Sequence, residues 1–351
     1  MQAPREVLAG RLRFQAQGCT ELGSPFYGAL LESAALDLEG GGAVWEALEG
    51  FEQEPEWSAL ALRLMGAVHR LVLQDSVPQL APHYPSVGGD GDASTAWPAF
   101  RDALREHPTE IRRLIASACQ TNEVGRSAAL IGGFLEVAHR TRLPLRILEI
   151  GASAGLNLQW DRYRYESGES GWGDEHSPVR FVNVFDVPPP LDRVAEVVER
   201  KGCDLQPIDP TTDEGALTLR SFIWADQLGR LSRLDGAIEI AGAGRAQGAP
   251  KIAPAMVERL DAATFLEREL DAPRADVATV VYHSVFIQYV TDGVHRRITR
   301  AIDQAVSRAT PDAPVYHLSM EPDEGRFEVR LGDELLGTSR AHGTGIRWLA
   351  P

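Results

Sequence analysis

The sequence predicts an α/β protein in which a helical N-terminal region precedes a mostly parallel sheet, and three observations carry that prediction. Residues 1 to about 140 show helical periodicity and turns with essentially no strand. From Leu145 onward, apolar β-branched runs alternate with amphipathic stretches, the pattern of a parallel sheet covered by helices. The first such run, Arg146 to Ile150, contains Glu149 and opens into Gly151-Ala152-Ser153-Ala154-Gly155. A strand, a tight glycine turn and a helix start, in that order, form the junction where open α/β sheets bind nucleotides.

In the N-terminal region, Ser24-Pro25 places an N-cap before a proline at the first helical position, leading into Phe26 to Ala35. Leu60, Leu64, Val68, Leu71 and Val72 form one stripe on a helix expected from Trp57 to Leu73. A proline- and glycine-rich loop comes next, Asp75 to Ser94, and then helices near Trp97–Glu106, Thr109–Cys119 and Glu123–Arg140. In the sheet region, Val179 to Phe185 reads as a strand, Leu191 to Lys201 as a helix, and Leu219 to about Ala241 as a longer helix. A small-residue loop separates that helix from a strand over Ala255 to Leu260. Val277 to Val285 is the most continuous apolar run and reads as a central strand. Helix Asp292 to Ala309, strand Val315 to Met320 and a terminal pair, Phe327 to Leu331 with Gly345 to Leu349, complete the chain. The division expected is a helical domain over 1–140 and a nucleotide-binding domain over 141–351, with an insertion near 162–200.

The glycine turn has three competing readings. Glu149, Gly151, Ser153 and Gly155 fit an S-adenosylmethionine (SAM) site. Gly151-Ala-Ser153-Ala-Gly155 also fits the Gly-x-Ser-x-Gly elbow of a serine hydrolase. A dinucleotide site is the third, although Ser153 holds the place of its middle glycine. A purely structural turn is the bland alternative. Strand counting decides: about six strands begin at Ile147, the turn comes after the first of them, and a hairpin closes the chain. A hydrolase elbow instead comes after several strands. The expectation is a SAM-methyltransferase-like Rossmann sheet with a terminal antiparallel hairpin.

On that reading Glu149 receives the ligand's ammonium, and Gly151, Ser153, Gly155 and Asn157 form the cofactor turn. Asp209, at the end of the second strand, takes the ribose hydroxyls, with Asp204 as the fallback. Asp261 and Ala262 face the adenine, although Asp261 also suits a helix N-cap. His283 is the candidate general base, near the end of the fourth strand. Asn122, Glu123 and Arg126 are candidates for substrate contact. Ser153 is expected to be a loop residue and not a nucleophile, for want of an oriented histidine.

Composition narrows the partners. A net charge of −15 argues against a nucleic-acid surface. No run approaches the roughly 20 apolar residues of a membrane span. Cys19, Cys119 and Cys203 make neither a C-x-x-C pair nor a disulfide framework, so no metal is expected and a reducing cytoplasm fits. The function expected is methyl transfer from SAM to a small molecule. A non-catalytic SAM- or nucleotide-binding regulator is the alternative, and a serine hydrolase a distant third.

Several phrases also resemble a known family. They are Ser24-Pro-Phe-Tyr27, Gln120-Thr-Asn-Glu-Val-Gly-Arg-Ser127, Leu148-Glu-Ile-Gly-Ala-Ser-Ala-Gly-Leu-Asn157, Trp224-Ala-Asp-Gln227, Val281-Tyr-His-Ser284 and Met320-Glu-Pro322. Together they are similar to a bacterial family catalogued as domain of unknown function 2332, across nearly the whole chain. That resemblance implies a methyltransferase-like nucleotide-binding fold and supplies no activity and no catalytic residues.

Overall fold

The computed structural model describes residues 4–243 and 255–350. The small-residue loop expected near 242–254 lies largely outside them. The chain divides into two compact units, Met1–Thr121 with Asp213–Leu231, and Asn122–Thr212 with Ser232–Pro351.

The first unit contains α1 (Pro4–Glu21), α2 (Pro25–Glu39), α3 (Ala43–Leu48), α4 (Leu60–Leu73), α5 (Ala93–Glu106) and α6 (Pro108–Ile115). The division differs from the expected boundary at residue 140, because α7 (Arg126–Thr141) groups with the sheet and Asp213–Leu231 with the helices. The stripe on α4 is buried as expected, with Leu64 and Val68 fully enclosed. Ser24 caps α2, its Oγ accepting from Tyr27 N at 3.4 Å.

The single helix expected over 219–241 is broken in two, α8 (Asp213–Ser221) and α9 (Leu228–Ala243). The break has a local cause. Asp226 accepts from Ser24 Oγ at 2.5 Å and from Phe26 N at 3.1 Å. Gln227 Nε2 donates to Leu22 O at 2.7 Å, and the Trp224 ring lies 6.4 Å from that of Tyr27. These contacts satisfy free N–H groups at the start of α2, and a continuous helix through 224–227 would forgo them.

The second unit is built on one sheet. Its strands are β1 (Leu145–Ile150), β5 (Phe185–Val187), β6 (Val197–Asp204), β7 (Met256–Arg259), β8 (Ala278–Ser284), β9 (Val315–Asp323), β10 (Arg326–Leu331), β11 (Glu334–Ser339) and β12 (Ile346–Trp348). Their order is β5-β12-β11-β10-β9-β8-β1-β6-β7. Strands β7, β6, β1, β8 and β9 are mutually parallel, while β10, β11 and β12 pair antiparallel in turn. The protein is therefore α/β, with a large, mostly parallel sheet and an antiparallel C-terminal end. The terminal hairpin is β10–β11, and Gly345 to Leu349 supplies a third antiparallel strand in place of the second arm. A small separate sheet, β2 (Arg164–Ser167), β3 (Ser170–Trp172) and β4 (Arg180–Val182), fills part of the stretch expected as an insertion.

The helix expected over Leu191–Lys201 is not formed, and β6 runs through its second half. Arg200 disguised this strand. It is buried, with its guanidinium donating to both carboxylate oxygens of Asp161 at 2.6 and 2.9 Å and to Leu158 O at 2.8 Å. On one face of the sheet Leu148, Ile150 and Val281 pack with α10 (Ala262–Glu269) and α11 (Asp292–Ser307). On the other, Phe134 of α7 meets Tyr282 edge-on at 5.1 Å.

Candidate functional site at the sheet switch point

Among the parallel strands, the order runs from β1 outward through β6 and β7 and then returns to β8 on the other side of β1. The loops after β1 and β8 thus diverge, leaving the crevice where open α/β sheets bind ligands. Each of these loops holds a non-glycine residue in the left-handed region, Ser153 (φ 52°) and Val285 (φ 53°). For a β-branched residue such as Val285 this is a true outlier, and strain of this kind costs about 1–3 kcal/mol. Hydrogen bonds from their backbone N–H groups hold both in place. Ser153 N donates to Asp204 Oδ2 at 2.9 Å, and Val285 N donates to Met320 O at 2.8 Å.

Gly151 and Gly155 also have positive φ, at 69° and 70°. A Cβ on Gly151 would overlap the Phe286 ring, and one on Gly155 would lie 2.7 Å from Val257 Cγ2. The bulk excluded at Gly151 is therefore met by Phe286, a protein side chain, in place of the ligand expected there. The chain beyond the turn also differs from the expectation. Asn157–Arg162 forms a six-residue 3-10 segment with a break at Gln159, so no α-helix N-terminus stands over the turn.

Glu149 is fully enclosed, and its Oε2 accepts from the Tyr282 hydroxyl at 3.0 Å. Burial pushes its carboxyl up to about 8, with Asp204 adding to the rise and the Tyr282 hydroxyl and Arg126 opposing it. It is a carboxyl group that would ionise readily only beside a cation.

A cavity of about 210 Å³ opens beside the glycine turn, against the loops that follow the carboxyl ends of β1 and β6 and the start of β7. Ala154, Ile208 and Val257 supply apolar wall, and Gln159, Arg162 and Asp209 supply polar groups. Here the roles of the two acids are redistributed. The second strand of the parallel set ends at Asp204, not Asp209, and Asp204 is the anchor of Ser153 N and Gln206 N. Asp209 sits in the next turn, accepts from Thr211 N at 3.0 Å and lines the cavity. Burial, and then the nearby Arg200, lower Arg162 below the usual guanidinium value. Asp261 takes the N-cap role, accepting from Thr264 N at 3.0 Å, and Ala262 packs into the α10–α11 core. Neither is among the residues lining this cavity.

A second cavity, about 460 Å³, lies between α11 and the strands β8 and β9. His283 lines it with both ring nitrogens engaged, Nδ1 with Glu321 Oε1 at 2.6 Å and Nε2 with His317 Nε2 at 3.0 Å. It therefore cannot serve Ser153 as a general base, and the hydrolase reading loses its nearest histidine. Sequence reasoning missed His317 and Glu321 as site residues. Their spacing on β9 was the available signal, since i and i+4 on a strand share a face.

A family model matches residues 9–348. The chain belongs to DUF2332, described as an uncharacterized protein conserved in bacteria. No curated protein and no solved structure matches it. In this DUF2332 member the phrases that carry the resemblance fall into two groups. Ser24–Tyr27 and Trp224–Gln227 meet each other in the helical unit, through Asp226 and Gln227. The others gather at the switch point. Asn122 Oδ1 accepts from Leu156 N at 3.0 Å, Ser127 Oγ donates to Asn157 Oδ1 at 2.7 Å, and Glu123 Oε1 accepts from Gly125 N at 2.9 Å. Arg126 donates to Ser284 O at 3.1 Å. Of the residues expected to touch substrate, Asn122 and Arg126 thus brace the loops after β1 and β8, while Glu123 bonds within its own turn.

Proposed function

We propose that this DUF2332 protein is a cytoplasmic SAM-dependent methyltransferase acting on a small molecule. The observation that carries the proposal is the cavity beside the glycine turn. Its place at the carboxyl ends of parallel strands, its small apolar walls and the Asp209 carboxylate suit an adenosine, with the acid on the ribose hydroxyls. Arg162 offers a counter-charge for the amino-acid carboxylate of SAM. Glu149, held protonated by burial, offers the ligand's ammonium a partner that gains a charge only when the cation arrives. Methyl transfer needs chiefly an aligned sulfonium and nucleophile, so it runs on positioning in such a crevice. The short 3-10 segment and the Phe286 ring over Gly151 favour a second reading, a SAM-binding regulator without catalysis.

Calorimetry with SAM and with S-adenosylhomocysteine at pH 7, in two buffers of different ionisation enthalpy, tests the proposal. Binding is expected, with about one proton released per ligand as Glu149 ionises, and with Asp209→Ala weakening it roughly ten- to a hundredfold. No heat with either ligand up to millimolar concentration refutes it. Tight binding with no methyl acceptor among small-molecule pools supports the regulator.

A further inference from the structure

The second cavity has a chemistry of its own. Glu321 Oε1 already accepts from Phe286 N at 2.9 Å and Ile287 N at 3.4 Å, so it faces His283 as an acceptor and His283 Nδ1 carries the proton. In a neutral ring the other nitrogen is then a lone pair. His283 Nε2 therefore accepts from His317 Nε2, whose proton is fixed in turn. The chain of constraints ends at His317 Nδ1, a lone pair on a ring that lines the cavity. Among the described residues no hydrogen bond is made to it, and no three ligating side chains converge to hold a metal ion.

We infer that Glu321, His283 and His317 form a proton relay whose open end, His317 Nδ1, deprotonates an uncharged or cationic small molecule bound beneath α11. The X–H bond of an N–H or O–H group breaks, its electron pair stays on X, and the proton goes to His317 Nδ1. The Nε2 proton of His317 crosses to His283, whose imidazolium then rests against Glu321. Passing the charge on matters, because burial, with His283 and His295 adding to it, lowers His317 to about 3. A lone His317 would be a poor base at neutral pH, whereas the relay places the charge beside a carboxyl group. His317 is thus the candidate catalytic residue, and His283 and Glu321 are positioning residues.

The other charged groups set the class of molecule. Asp303 and His295 face the cavity from α11, Glu321 from β9, and no lysine or arginine is among its described lining residues. Carboxylates and phosphates are repelled. Ile298 and Ile302 of α11 give an apolar wall for a ring. The inference does not rest on the methyl-transfer reading, because register puts His283, His317 and Glu321 on the α11 face of the sheet and Val257 of the first cavity on the opposite face.

The test needs no SAM, so it succeeds or fails separately from the calorimetry. The full-length protein is titrated with 4-fluorophenol, 4-fluorobenzylamine and 4-fluorobenzoate, observed by fluorine NMR, while long-range nitrogen–proton spectra read the histidine tautomers. Expected are a bare Nδ1 on His317 at pH 7, binding of the phenol and the amine, and at least tenfold weaker binding of the benzoate. The phenol should shift the His317 Nδ1 signal. Glu321→Gln should keep phenol affinity within threefold yet move the pH midpoint of that shift down by at least one unit. A protonated Nδ1 on wild-type His317, equal binding of the benzoate, or phenol binding that leaves His317 unmoved would each overturn the inference. The wild-type spectra decide the matter even if Glu321→Gln fails to fold.

Discussion

At the scale of single residues, Gly151 and Phe286 define the crevice. The glycine is needed twice, once for its positive φ and once because the Phe286 ring occupies the space a Cβ would fill. Gly151→Ala should therefore lower the stability of the second unit by about 1–3 kcal/mol, from left-handed strain plus overpacking. In a Phe286→Ala background the same change should cost only the backbone share, about 1 kcal/mol. Urea denaturation of the four proteins in the cycle measures this coupling. Equal costs in both backgrounds would mean that the ring yields without resistance. The positive φ at Gly151 was legible in the sequence, because a strand leading into Gly-x-x-x-Gly demands a tight turn. The ring above it was not, because Phe286 arrives from the loop after β8, more than a hundred residues later.

At the scale of elements, α2 depends on a cap from far along the chain. Asp226 accepts two hydrogen bonds at the start of the helix, one from Ser24 Oγ and one from Phe26 N. Asp226→Ala removes both and leaves the buried Ser24 hydroxyl short of an acceptor, so a loss of about 2–3 kcal/mol is expected in the helical unit. Hydrogen exchange should show the effect as faster exchange at Phe26 and Tyr27, with the β1 amides unchanged. Uniform acceleration across both units would contradict a local cap. Strand β6 teaches the complementary point. Its sequence, with charges at Glu199, Arg200 and Lys201, does not advertise a buried strand, because the partner that neutralises Arg200 lies on a different segment.

At the scale of the whole molecule, pH dependence combines opposing contributions. Glu149 is raised to about 8 in the folded protein, so its contribution is fully present below its unfolded value near 4.5 and is lost as pH rises toward 8. His317 and His69 are lowered by burial, to about 3 and about 4, so the folded protein binds fewer protons than the unfolded chain below about 6.5 and loses stability as pH falls. Chemical denaturation across pH 4.5 to 8.5 should show the alkaline arm in the second unit alone, where Glu149 lies, and the acid arm in both. Glu149→Gln should flatten the alkaline arm. At about 1.4 kcal/mol per pH unit, the gap between the variant and the wild type should widen by a few kcal/mol from pH 5 to 8. A constant gap would show that Glu149 is ionised in the folded protein.

The sequence by itself determined the α/β class, the helical start, the position of the glycine turn and the central strand over 278–284. All of these rest on local periodicity and turn chemistry, which a short window of residues carries. Which face each polar side chain serves was decided only in three dimensions. Asn122 and Arg126 brace loops, Glu123 closes its own turn, and Asp204 holds Ser153 while Asp209 lines a cavity. His283 gives both its nitrogens to groups on β9. Each outcome depends on strand order and register, which bring together residues as far apart as Asn122 with Leu156 and His283 with Glu321. A polar residue's role is set by the partner that relieves the cost of burying it, and that partner is chosen by the tertiary fold.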